Sequence, residues 1–208
     1  MPESVPRAVQ PLALGACDAL LLVDVQRDFV SGTLAVRGAT AILPTLNRYL
    51  REFARRGLPI VATRDWHPEG HCSFRDRGGP WPVHCMAGTP GAAFAEGLVL
   101  APDAVVVSKG TSPEHDAYSG FDETDLDRRL RGLGARRLFV GGLATDYCVL
   151  RTVLDARRLG YDVFLLADAI RAVDVNPGDG ERALAQMRAA GAVSITFADF
   201  AAVVTAHG

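Results

Sequence analysis

Three residues of this chain stand where an apolar run gives way to polar sequence, and their types suit nucleophilic chemistry: Asp24, Lys109 and Cys148. Asp24 follows Ala19-Leu20-Leu21-Leu22-Val23, and a carboxylate at the end of such a run is costly to bury without a partner. Taken alone, it suits a turn or a helix cap equally well. Lys109 closes the run Ala104 to Val107, followed by Ser108, where an isolated lysine usually belongs to the surface. Beside a buried Asp24, however, its ammonium would hold the carboxylate ionised and could donate to a substrate or transition state. Cys148 follows Leu138-Phe139-Val140 after the segment Gly141 to Tyr147. With Thr145 as N-cap it would lie in the first turn of a helix. There, free N–H groups and the helix dipole stabilise a thiolate and can receive a developing oxyanion. A small buried core residue is the other common fate of a cysteine.

A second group suits metal binding. The segment Asp65-Trp66-His67-Pro68-Glu69-Gly70-His71, with His84-Cys85 further on, holds three of the chain's five histidines between His67 and His84. A carboxylate with two imidazoles ligates zinc, iron or manganese and leaves positions open for water or substrate. The lack of a second nearby cysteine pair argues against a closed structural zinc.

The elements that would carry these residues alternate. Short apolar runs at Ala19–Val23, Pro59–Ala62, Ala104–Val107, Leu138–Val140, Val163–Leu166 and Val193–Thr196 suit strands buried on both faces. Helix-like stretches lie between them at Ile42–Arg56, Asp125–Arg131, Asp146–Leu159 and Gly180–Ala190, with apolar residues at helical spacing such as Leu43, Leu46, Leu50 and Phe53. Gly57, Gly134, Gly160 and Gly191 stand where helix C-caps belong. Alternation of this kind predicts an α/β fold: one three-layer domain over residues 1–208, with a parallel, about six-stranded sheet and helices on both faces. Residues 1–17 read as an N-terminal extension. The stretch Asp65 to Gly91, rich in Pro, Gly, His and Trp, has no sustained period, and so long a loop is usually functional. At the C-terminal strand ends of such a sheet, loops and helix N-termini gather into sites.

Composition bounds the rest. The chain has 208 residues, 49% of them hydrophobic, enough for a substantial core, and its formal net charge of -2 comes from dispersed charges. Neither nucleic acid nor an anionic membrane surface is favoured as a partner. No apolar run approaches the roughly 20 residues of a membrane span, and the N-terminus lacks a signal-like pattern, so a cytoplasmic location is expected. The four cysteines, Cys17, Cys72, Cys85 and Cys148, form no CxxC pair and are expected to be reduced.

Six segments, in order, resemble the nicotinamidase branch of the isochorismatase-like cysteine hydrolases. They are Leu22-Val23-Asp24-Val25-Gln26-Arg27-Asp28-Phe29, Thr63 to Pro68, Gly79 to Cys85, Lys109-Gly110, Asp116 to Phe121, and Gly142 to Val149. The likeness runs from about Ala19 to Phe197. It implies Cys148 as nucleophile, Asp24 as proton acceptor and donor, Lys109 as their electrostatic partner, and an oxyanion hole from the N–H groups of Ala144 and Cys148, with a cis peptide entering Ala144. It further implies Asp65, His67 and His84 as ligands of one divalent metal ion, zinc first, with iron or manganese as alternatives. His71 is an additional candidate that only some members use. Phe29, Trp81, Tyr118, Ala144 and Tyr147 would bind the substrate. The implied reaction converts nicotinamide to nicotinic acid and ammonia through a thioester, within NAD salvage, in a protein expected to act as a homo-oligomer and to accept pyrazinamide. The alternative is a related amidase or carbamoyl hydrolase acting on another small amide.

Overall fold

Each apolar run identified above forms a strand, and all pairings between strands are parallel, as expected when helical crossovers return the chain to the same edge. The computed structural model describes residues 14–204. In chain order the principal elements are β1 (Asp18–Val23), α1 (Arg27–Val30), α2 (Leu43–Arg55), β2 (Ile60–Asp65), β3 (Val105–Lys109), α3 (Leu126–Gly132), β4 (Arg137–Leu143), α4 (Leu150–Arg158), β5 (Asp162–Arg171), α5 (Asp179–Ala189), β6 (Val193–Ile195) and α6 (Phe197–Val204). The sheet has six strands in the order β3-β2-β1-β4-β5-β6.

Side chains alternate across the strands, so the apolar runs supply two cores. Leu20, Leu22, Phe139, Phe164 and Leu166 pack with Leu46, Tyr49 and Phe53 of α2 and Phe197 and Phe200 of α6. On the opposite face Leu21, Val23, Val61, Leu138 and Val140 meet Leu126 and Leu130 of α3, Val153 of α4 and Met187 of α5. These are the three layers expected. Gly57, Gly134, Gly160 and Gly191 all have positive φ at helix ends, as their cap role requires.

Two boundaries differ from the sequence reading. The helix expected from Asp146 opens instead with a π-helical turn over Thr145–Val149, and α4 proper begins at Leu150. The N-cap is Ala144 rather than Thr145, and Ala144 O accepts from the N–H groups of both Tyr147 and Val149. The peptide between Leu143 and Ala144 is cis. Of the expected N-terminal extension, residues 1–13 lie outside the described residues, and the sheet begins at Asp18.

The order of strands places β1 centrally, with β2 on one side and β4 on the other. Chain direction out of the sheet diverges there, and the crevice above that point is where open α/β sheets bind ligands. Asp24 follows β1, Asp65 ends β2, Lys109 ends β3 and Cys148 follows β4.

Candidate active site

Period-two alternation carries Val61, Thr63 and Asp65 of β2 onto the same face. Asp65 is in register with Lys109 of β3. Their contact is therefore built by strand pairing. The Lys109 ammonium lies 2.5 Å from Asp65 Oδ1 and 2.9 Å from Asp24 Oδ2, donates to Ala117 O at 3.0 Å, and stands 3.5 Å from Cys148 Sγ. Sequence reasoning paired this lysine with Asp24 alone; the second carboxylate is a finding of the strand order. Cys148 Sγ lies within 4.8 Å of carboxyl oxygens of both Asp24 and Asp65.

These groups are removed from water: Asp24 is 0%, Lys109 1% and Cys148 6% exposed. Burial raises the pKa of Asp24, and the Lys109 ammonium together with the Thr63 hydroxyl, which donates to Oδ1 at 2.7 Å, offsets part of the rise. Burial opposes the charge on Lys109, yet Asp24 and Asp65 outweigh it and hold the ammonium well above its ordinary range. Burial likewise pushes the Cys148 thiol well up, only partly countered by Lys109. Burial thus favours the protonated thiol, and the neighbouring Asp24 carboxyl is placed to serve as its base.

Two glycines make this closeness possible. Gly142 has φ +122°, and a Cβ there would fall 2.1 Å from Val23 O, so β4 could not lie against β1 with any other residue. Gly110, at φ +60°, would drive a Cβ to 2.6 Å from the His67 ring.

Beside the lysine lies the second cluster. One ligand atom from each of Asp65, His67 and His84 comes within 4.8 Å of the others, and all three residues are buried. His67 Nδ1 faces Gly110 O at 2.9 Å and His84 Nδ1 faces Pro82 O at 2.8 Å. A carbonyl can only accept, so each ring, when neutral, carries its proton on Nδ1 and keeps the Nε2 lone pair for a ligand. Metal-binding histidines are oriented in this way. One ammonium facing two buried carboxylates also leaves negative charge that a divalent cation would balance. The donor set fits such an ion. Asp24, Asp65 and Cys148 also converge, but the Lys109 ammonium already occupies the middle of that group. His71 stacks on His67 with ring centroids 4.1 Å apart, its Nδ1 bonded to Ser73 Oγ and its Nε2 to His115 O. Both its nitrogens are engaged, and it stands outside the converging trio.

Above the thiol is a largely apolar slot. Phe29, Trp81, Tyr118, Ala144 and Tyr147 all line it, together with Asp65, His67, His84 and Cys148. Trp81 and Tyr147 meet edge to face at 5.2 Å, and the Trp81 indole donates to the Tyr118 hydroxyl at 3.0 Å. Burial raises the Tyr118 phenol to about 12, keeping it neutral. Leu34, Val36, Asp116, Ala117 and Val173 complete the lining; none of them was assigned a site role from sequence. Val173 is unreachable by local pattern: its N–H is held by Asp146 Oδ1 at 2.9 Å, 27 residues away.

The isochorismatase domain model matches residues 18–199, and the chain belongs to the isochorismatase family. Among its relatives, the nicotinamidase of Escherichia coli is 39% identical over 88% of this chain and 96% of its own. The crystal structure of pyrazinamidase of Pyrococcus horikoshii in complex with zinc is similar at 50% identity and a TM-score of 0.83, covering 87% of this chain and 99% of that one. A structure from L. infantum in complex with nicotinate reaches 38% identity and a TM-score of 0.82, with 90% and 96% covered.

Proposed function

We propose that the chain is a nicotinamidase, an amidohydrolase that converts nicotinamide to nicotinic acid and ammonia by covalent catalysis at Cys148, as a step of NAD salvage, and that it also accepts pyrazinamide. The observation that carries this reading is the meeting of Asp24, Lys109 and the Cys148 thiol at the floor of an aromatic slot, beside a three-residue metal-binding group.

In the first step Asp24 takes the proton of the Cys148 thiol and the sulfur attacks the carboxamide carbon. Lys109, 3.5 Å from the sulfur, favours the thiolate as it forms. The N–H groups of Ala144 and Cys148 receive the oxyanion, a contribution of about 3–4 kcal/mol per donor in such sites. Collapse of the intermediate breaks the C–N bond. Asp24 passes its proton to the leaving nitrogen, and ammonia departs to leave a thioester on Cys148. The same carboxylate then draws a proton from water, whose oxygen attacks the thioester, and the thiol and nicotinic acid are released.

Asp65, His67 and His84 would hold one divalent ion, zinc by preference, and the ion would supply a coordination site that places the substrate ring. Phe29, Trp81, Tyr118 and Tyr147 flank that ring and keep water from it. The fold is read as one domain over residues 1–208. The four cysteines are unpaired, which suits a cytoplasmic protein, and no helix among the described residues is long and apolar enough to cross a membrane. The protein assembles as a homo-oligomer, as its resemblance to the family implies.

Ammonia release from nicotinamide, measured before chelation, after it, and after zinc is restored, tests the reading. Activity that falls and returns with the metal is expected. Absence of ammonia release by the zinc-loaded protein would overturn it.

A further inference from the structure

The segment from Asp24 into α1 also carries two buried polar side chains that the chemistry above does not use. Gln26 is 0% exposed and its amide is fully engaged: Oε1 accepts from Asp65 N–H at 2.7 Å, while Nε2 donates to Asp65 O at 2.7 Å and to Ala92 O at 2.9 Å. Register pairing between β1 and β2 ends at Leu22 with Ala62. Past that point the Gln26 side chain does what a neighbouring strand would do for the Asp65 peptide. On its other side the same residue is paired with Lys109.

Asp28 is 7% exposed and performs the corresponding task at the far ligand. Its Oδ2 accepts from Cys85 N–H at 2.7 Å and its Oδ1 from Thr33 N–H at 3.2 Å. Cys85 follows His84 directly, has φ +45°, and its carbonyl accepts from His67 N–H at 3.0 Å. One carboxyl thus fixes the residue that joins both histidine segments. The room for it is made by glycines: a Cβ on Gly91 would fall 2.2 Å from the Asp28 carboxyl, and one on Gly32 2.3 Å from it.

We propose that Gln26 and Asp28 are positioning residues that hold Asp65 at one end, and His84 with His67 at the other, in the spacing that binds the metal ion. The proposal rests on the metal-assisted reading above. By this account, Asp24, Gln26 and Asp28 place the base and both ends of the ligand set from the single short segment that joins β1 to the start of α1, so base and ligand set keep a constant separation.

Isosteric variants test it. In Gln26→Glu the side chain no longer has two protons to donate, so Asp65 O and Ala92 O lose their partners. In Asp28→Asn only one oxygen remains for two N–H groups, and either Cys85 or Thr33 is released whichever way the amide turns. Asp18→Asn serves as control, since Asp18 is equally buried but pairs with Arg137 at the opposite end of β1. Zinc dissociation constants are measured on the demetallated full-length proteins by competition with a chromophoric chelator, alongside thermal midpoints. Loss of oriented outer contacts typically weakens metal binding by about 10–100-fold, and that loss is expected for Gln26→Glu and Asp28→Asn. Asp18→Asn is expected to lower the midpoint and leave zinc affinity as in the wild type. Gly91→Ala, which displaces the Asp28 carboxyl, gives a second route to the same readout if Asp28→Asn does not fold, and weakened zinc binding is expected there too. Unchanged zinc affinity in the two isosteric variants would overturn the positioning role. A wild-type protein that binds zinc yet releases no ammonia from nicotinamide would instead remove the functional reading, a separate outcome of the same preparation.

Discussion

Replacing Thr63 by Val removes a single hydroxyl of nearly the same shape from beneath the proposed base. Thr63 and Asp24 are both 0% exposed, and the hydroxyl donates to Asp24 Oδ1 at 2.7 Å. A hydrogen bond to a charged group contributes about 1.5–3 kcal/mol, and about 1.4 kcal/mol corresponds to one pKa unit. The hydroxyl favours the ionised carboxyl, so its loss raises the pKa of Asp24, which burial already holds above the ordinary value. Asp24 must be ionised to accept the thiol proton, and activity is lost as pH falls through its pKa. The acid limb of kcat/KM for nicotinamide should therefore move to higher pH by about 1–2 units in Thr63→Val. Thr63→Ser, which keeps the hydroxyl, should leave it in place. A limb that stays put in Thr63→Val, or moves to lower pH, would refute Asp24 as the base.

Other consequences are open to measurement. Gly110→Ala forces a Cβ to 2.6 Å from the His67 ring, and should weaken zinc binding by about 10–100-fold in chelator competition. Trp81→Ala removes an edge-to-face partner of Tyr147 and one wall of the slot. With such aromatic contacts contributing about 0.5–1.5 kcal/mol, KM for nicotinamide should rise about 2- to 10-fold with little change in kcat. Phe53→Ala empties a fully buried position between Phe139 and Phe200, and urea denaturation should register a loss of about 3–5 kcal/mol.

Much of this architecture is legible in the chain because parallel strands buried on both faces are written as continuous apolar runs. The polar residue that ends each run is then conspicuous, as Asp24 and Lys109 are. Gly57, Gly134, Gly160 and Gly191 mark helix ends for an equally local reason, the left-handed backbone that the cap demands. The pairing of Lys109 with Asp65 is different in kind. It depends on β3 lying next to β2 in a particular register, information held by no single segment. The bond from Thr63 to Asp24 is likewise hidden, because a threonine in a strand has no distinguishing local pattern until Asp24 is brought against it. The π-turn at Thr145–Val149 eluded helical periodicity, since one extra residue per turn leaves the apolar spacing of the following helix intact. Val173 lines the slot with its backbone held by Asp146, 27 residues away, a contact that no local pattern announces.

The covalent role of Cys148 is tested most directly by stopping nicotinamide turnover with acid and weighing the protein, followed by peptide mapping. A mass increase of one nicotinoyl group on the peptide containing Cys148 is predicted, with neither adduct nor ammonia from Cys148→Ala, whose zinc content should be unchanged. Ammonia release by Cys148→Ala at the wild-type rate would contradict the account.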